Sequence, residues 1–254
     1  MPKVEMLYTG GLDSTYRLIQ LSMMDGVEVQ PYYVLGERKS RFMERDRVLK
    51  ICEMLTNRET TKAKILEPII VDKKTIVYDE ELVNAYIEFY KYMKLGLQYT
   101  FLGSFAKDHP GLELSIEKDP NEEHAFAKKN IKLVPKETEI GTTWVVAEDT
   151  DKNAYTIFKN FTFPIATTTK KEEIDNMIAW GFEDIMKLTW FCHNPKRGKP
   201  CGYCAPCTQY MEAGLEFLFD KESKHRYKYR KIYGLPHRIS IKLSHIFGNK
   251  TKKF

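Results

Sequence analysis

The 254-residue chain predicts an α/β fold, a parallel sheet flanked by helices. Strand-like apolar runs alternate with amphipathic helical segments over residues 4–71, a Gly-Gly turn directly follows the first run, and the 43% hydrophobic content suffices for a core. Residues 4–8 read as a first strand and 13–24 as a helix, with Leu18 and Leu21 on one face and Ile19 beside them. Residues 27–35 read as a second strand. Residues 40–55 read as a second helix with Phe42, Val48, Leu49, Cys52 and Leu55 inward, and 64–71 as a third strand. Parallel sheets carry ligands at the carboxyl ends of their strands, and the first strand ends at the glycine pair.

Beyond that core, residues 79–107 are aromatic-rich and read as a buried helix or two, broken near Gly96. Residues 109–124 read as a charged loop, and 142–165 as a hairpin turned at 148–153 that returns into a further strand. Residues 167–181 read as a helix opened by a Thr169–Glu172 capping box, and 207–219 as a helix after a cysteine loop. The organisation expected is an α/β domain over 1–190, a metal-bound loop and helix over 191–220 packed on it, and a basic aromatic tail over 221–254.

A formal net charge of +5 is mild and comes largely from the tail, so the molecule as a whole does not read as a nucleic-acid binder. No run of 18 apolar residues suggests a membrane span, and "MPKVEMLYTGG" lacks the features of a secretory signal, so the cytoplasm is the expected location. In that reducing compartment, four clustered thiols point to a metal rather than to disulfides.

A loop between a strand and a helix N-terminus offers backbone amides and the positive end of a helix dipole to a phosphate, and glycine clears the approach. Thr9 and Ser14 add hydroxyls to Gly10 and Gly11, while Asp13 suits such a place if it orients amides or holds magnesium. The pattern is neither a Walker A loop nor the dinucleotide-binding G-x-G-x-x-G. The plainer reading is a βα turn with Asp13 or Ser14 capping the helix.

Cys192, Cys201, Cys204 and Cys207 in "CHNPKRGKPCGYCAPC" are spaced x8, x2 and x2, which suits a closed tetrahedral zinc site that holds structure. An iron–sulfur cluster is the rival occupant, and four unrelated buried cysteines the non-metal alternative. Cys207 falls at a helix start, where the dipole favours a thiolate. His193 reads as a loop residue and Cys52 as core.

"TGGLDST" resembles the SGGxDS pyrophosphate loop of the PP-loop ATPases, with Thr9 where serine is usual. Joined to the cysteine signature, it resembles the 7-cyano-7-deazaguanine synthase (QueC-like) family, whose C-x8-C-G-x-C-x-x-C is met by Cys192, Cys201, Gly202, Cys204 and Cys207. "GERKSRFMERD" (36–46) is similar to the family's G-Q-R-H segment, and Pro164, Lys170 and Glu172 match its P-x5-K-x-E element. Three elements depart. Val34 stands where the family has aspartate, residues 91–101 lack the Arg and Asn of its P-G-R-N, and 108–126 do not reproduce its D-x-S-G-Y-P-D-C-R substrate loop.

The resemblance implies an adenine-nucleotide alpha hydrolase-like fold with a PP-loop ATP-binding domain over 1–190 and a four-cysteine zinc segment. It implies ATP, Mg2+ and Zn2+ as cofactors, and often a homodimer. In the family reaction, the carboxylate of 7-carboxy-7-deazaguanine is adenylated, ammonia displaces AMP to give an amide, and a second activation dehydrates the amide to the nitrile. Carried over residue by residue, Tyr8, Thr9, Gly10, Gly11, Leu12, Asp13, Ser14, Thr15 and Arg38 fall to nucleotide binding. Asp13, Ser14 and Lys170 fall to catalysis, and the four cysteines to the metal. Lys170 also reads as an exposed lysine at a helix start, and Arg38 as a solvated arginine. Two other functions stay open: a diverged ligase joining another acid to a different amine, protein or nucleic-acid acceptor, and a non-catalytic nucleotide sensor or RNA binder using residues 224–245.

Overall fold

The computed structural model describes residues 1–235; residues 236–254, including the second half of the basic run at 224–245, lie outside the described residues. The chain forms two compact units, one of residues 1–37 and 41–190, the other of residues 38–40 together with those from 191 onward.

The first unit begins with β1 (Lys3–Leu7), α1 (Leu12–Ser22), β2 (Glu28–Leu35), α2 (Arg41–Thr56), β3 (Lys64–Ile65) and β4 (Ile69–Asp72). It continues through α3 (Glu80–Tyr92), α4 (Gln98–Lys107), β5 (Leu112–Glu113), β6 (Leu133–Thr138), β7 (Gly141–Val146), α5 (Lys152–Phe158), β8 (Phe161–Thr162), α6 (Lys170–Ala179) and α7 (Glu183–Met186). The main sheet runs β3-β2-β1-β5-β8 with β4 also beside β2, and every pairing in it is parallel. The chain is therefore α/β, as expected, with a small antiparallel β6–β7 ribbon beside the parallel sheet. From β1 the chain moves to β2 on one side, whereas β5 lies on the other. This reversal of strand order falls at the carboxyl end of β1, the place where open α/β sheets carry their ligands. Among the described residues, no helix is long and apolar enough to cross a membrane.

Four local expectations need correction. The third strand is two pieces, because Pro68 has no N–H to donate; β3 pairs with Glu28 and Val29, and β4 with Tyr32 to Leu35. The side-chain amide of Gln30 donates to the Glu67 carbonyl across the gap at 3.0 Å. On α2, Val48, Ile51, Cys52 and Leu55 face inward, but Phe42 and Leu49, seven residues apart on another stripe, are exposed. Phe42 lies instead beneath the guanidinium of Arg41, 4.6 Å from its ring centre.

The segment taken as a charged loop contains β5, at the middle of the sheet between β1 and β8. Its charge disguised it. Glu113 is buried because Arg17 of α1 meets it bidentately, Nε to Oε2 at 2.8 Å and Nη2 to Oε1 at 2.7 Å. The hairpin is likewise displaced: β6 turns into β7 through Glu139–Ile140, and residues 152–158 form α5. Asp151 Oδ1 caps that helix by accepting from the amides of Asn153 and Ala154. By contrast, the break between α3 and α4 and the Thr169–Glu172 capping box of α6 occur as expected.

The second unit holds the cysteine loop, α8 (Ala205–Glu212), α9 (Lys221–Lys228) and α10 (Arg230–Tyr233). The helix expected over 207–219 ends at Glu212, and the region expected as a tail opens with two helices.

Breaking a buried ion pair leaves the survivor charged and desolvated. Glu113→Ala is therefore expected to lower the unfolding free energy by about 3–5 kcal/mol in urea titrations, with the double replacement Arg17→Met/Glu113→Leu recovering most of that loss.

Candidate functional site

Gly10 adopts φ +67°, and a Cβ there would lie 3.2 Å from both Arg47 Cβ and the Val48 amide nitrogen of α2. Only glycine fits this turn without strain. The Gly10 carbonyl accepts from the Trp190 amide at 2.8 Å, which pins the turn from its other side. Gly11 is the N-cap of α1, and no side chain caps that helix, so neither Asp13 nor Ser14 plays the capping part of the plainer reading. The hydroxyls of Thr9 and Ser14 stand 3.4 Å apart. Thr9 Oγ1 accepts from the Gly11 amide, and Ser14 Oγ accepts from the Thr9 amide, each at 3.4 Å. A bare turn at an uncapped helix start, at the point where strand order reverses, is an anion-binding geometry.

Around the turn, the expected residues divide. Thr9, Gly10, Gly11, Asp13 and Ser14 line it. Tyr8, Leu12 and Thr15 turn their side chains into the core, with Tyr8 Oη bonded to Thr15 Oγ1 at 3.2 Å, so these three can serve only through main chain. Arg38 is exposed and belongs to the second unit.

Lys170, the first residue of α6, reaches Asp13 in the first turn of α1 and pairs with its carboxylate. Its ammonium also lies 3.3 Å from Glu117 and 3.4 Å from Glu173. It is thus not the exposed lysine of the plainer reading. The capping box explains which glutamate does what: Glu172 turns back to accept from the Thr169 amide, leaving the next residue, Glu173, to face inward. Glu117 and Glu173 were not foreseen. Glu173 stands one position past the matched motif, and Glu117 lay in the supposed loop.

Three carboxylates thus share one ammonium. Glu173 is wholly buried and its Oε1 has no hydrogen-bond partner, so burial, with Glu117 nearby, pushes its carboxyl up to about 7 even though Lys170 pulls the other way. Burial raises Glu117 and lowers Lys170 in the same sense, toward neutral forms. Next to this cluster the Asn176 side-chain amide of α6 donates to Tyr16 Oη of α1 at 2.9 Å.

In the second unit, the four cysteine sulfurs are buried and all lie within 4.8 Å of one another, an arrangement that could hold a metal ion such as zinc. The Cys201–Cys207 and Cys192–Cys204 sulfurs are 3.8 and 4.0 Å apart, close to the ~3.8 Å edge of a tetrahedron with ~2.3 Å zinc–sulfur bonds, and the Cys204–Cys207 sulfurs are closer, at 3.3 Å. Amides of Cys201 and Cys204 donate to Cys192 Sγ and Cys201 Sγ at 3.1 and 3.3 Å, which favours thiolates. Cys204 is the N-cap of α8 and Cys207 lies in its first turn; His193 is exposed in the loop. Helix α9 completes this unit. Arg226 donates to the carbonyls of Cys201 and Pro200 at 2.9 and 3.1 Å, and a Cβ on Gly202 would lie 2.2 Å from the Ser223 carbonyl oxygen. Cys52, by contrast, is core, its thiol pushed up to about 12 by burial.

A scan against protein-family models and a search of curated proteins returned no match.

Two outcomes are expected. A carboxyl raised in the folded state binds a proton that the unfolded chain releases, so between pH 4.5 and about 7 its contribution makes stability fall as pH rises. Glu173→Gln is expected to flatten that slope in urea titrations at pH 5 and 7. Separately, the purified chain should carry one zinc per molecule by elemental analysis. A chelator or Cys204→Ser should remove it and lower the melting temperature of the second unit.

Proposed function

We propose that the chain is a PP-loop ligase that uses ATP to adenylate a carboxylate and then passes the acyl group to ammonia, in the manner of the 7-cyano-7-deazaguanine synthases it resembles. The observation that carries this reading is the pairing of Lys170 with Asp13 on the uncapped glycine turn. It sets an anion cradle, a cation and a carboxylate side by side.

A carboxylate is a poor electrophile, so its oxygen must become a leaving group while the charge that builds on the phosphates is neutralised. In this reading the amides at Gly10–Ser14, with the hydroxyls of Thr9 and Ser14, hold the pyrophosphate. Asp13 would hold magnesium there, and Lys170, freed from Asp13, would meet the negative charge that develops at the α-phosphate. Glu117 and Glu173 keep the Lys170 side chain aimed at this place before nucleotide arrives. The closed four-cysteine site holds zinc as a structural ion, with no open coordination position for chemistry.

One observation favours a second reading, a diverged ligase that joins a different acid or acceptor. Residues 108–126, to which the resemblance assigns the loop that reads the deazaguanine base, lack its motif, and within them Glu113 of β5 is consumed by Arg17. The test is incubation with ATP and 7-carboxy-7-deazaguanine, with and without ammonia, followed by mass spectrometry. Ammonia-dependent nitrile supports the first reading. AMP released with other acids alone supports the second, and no AMP under any condition eliminates both. Asp13→Ala is expected to cut AMP release by at least about 10²–10³-fold while fold and zinc content are retained.

A further inference from the structure

The two units differ sharply in charge. Residues 1–37 and 41–190 carry 24 basic and 31 acidic residues, whereas residues 38–40 and 191–235 carry 11 basic and 4 acidic. Residues 236–254 add five basic residues and no acidic one. The modest overall charge therefore conceals a basic cysteine unit attached to an acidic α/β unit.

Within the basic unit many cations stand at the surface, while Lys199 is paired with Asp220 at 2.8 Å. Lys221, Lys224 and Lys228 recur along α9 at helical spacing, and all three are exposed. Lys196 and Arg197 are exposed in the loop that carries the cysteines, as are Arg38 and Lys39. Arg226 is turned inward to the Pro200 and Cys201 carbonyls, so the helix bearing the lysines is fastened to the cysteine loop. Aromatic rings accompany the charge. Tyr229 and Tyr233 are 42% and 43% exposed, and the Arg230 guanidinium lies over Tyr227 at 4.4 Å.

We propose that this unit is a binding surface for single-stranded nucleic acid, with lysines and arginines tracking phosphates and the α9–α10 tyrosines stacking on bases. A rigid cationic helix alone would suit any polyanion; the exposed phenol rings select for unpaired bases over duplex. α9 presents no apolar face to enter a bilayer, and the exposed Ile232 and Leu235 beyond it are single side chains with no apolar helix face behind them, so a lipid surface is the poorer fit. The inference stands independently of the adenylation reading, because it uses no residue of the glycine turn.

The test is fluorescence anisotropy of the full, zinc-loaded chain with a labelled 20-nucleotide RNA of mixed sequence. Four phosphate contacts would weaken binding roughly 50-fold between 50 and 200 mM salt. Lys224→Glu/Lys228→Glu should weaken it at least 10-fold with zinc content and circular dichroism unchanged, and Lys196→Gln/Arg197→Gln, with no charge reversed, should weaken it several-fold. Tyr229→Ala/Tyr233→Ala should lower affinity for the single strand more than for a duplex of equal length. Absence of binding at 50 mM salt, or equal affinity in the charge variants, would overturn the proposal. So would capture of phosphatidylserine vesicles without RNA binding, or salt-sensitive self-association of the chain in its place.

Discussion

Behind Gly10 stands the backbone of α2, close enough that any side chain at that position would press on Arg47 and Val48. In front, the chain must leave β1 and enter α1 within a few residues. These two demands force a left-handed turn with no side chain in it and start the helix at Gly11 without a cap. Because β5 pairs on the far side of β1 from β2, the turn lies at the point where strand order reverses. The uncapped start of α1, with Asp13 in its first turn, and the proposed seat for phosphates follow from that steric constraint.

Two charge groups flank α1, one buried and one partly so, and they are built differently. Arg17 and Glu113 satisfy each other with two short hydrogen bonds, one cation for one anion, and fasten the helix to the central strand. At the other group Lys170 faces Asp13, Glu117 and Glu173, and one oxygen of Glu173 is left without a partner. A matched pair is what stability asks for. A mismatched cluster at the mouth of an anion cradle is costly to keep, and that cost makes sense where a ligand completes it.

The parallel sheet, the glycine turn and the four-cysteine cluster were legible because each depends on local pattern: alternating apolar runs, a Gly-Gly pair after the first of them, and closely spaced thiols. Lys170 and the capping box were legible for the same reason. What escaped notice depends on partners distant in sequence. β5 is two residues long and one of them is charged; only Arg17, 96 positions away, makes it a central strand. Glu173 looks like any polar residue on an amphipathic helix until the box at Thr169 turns Glu172 away. The exposure of Phe42 and Leu49 likewise reflects which stripe of α2 the sheet covers, and apolar content alone does not reveal that.

The proposed chemistry depends on main-chain nitrogens after β1 gripping a triphosphate, and a crystal structure of the chain with a non-hydrolysable ATP analogue and magnesium measures this directly. Phosphate oxygens should lie within about 3 Å of the amide nitrogens between Gly10 and Ser14, with the Lys170 ammonium drawn off Asp13 toward the α-phosphate. An analogue seated elsewhere, or a glycine turn whose amides stay turned away from it, would contradict the account.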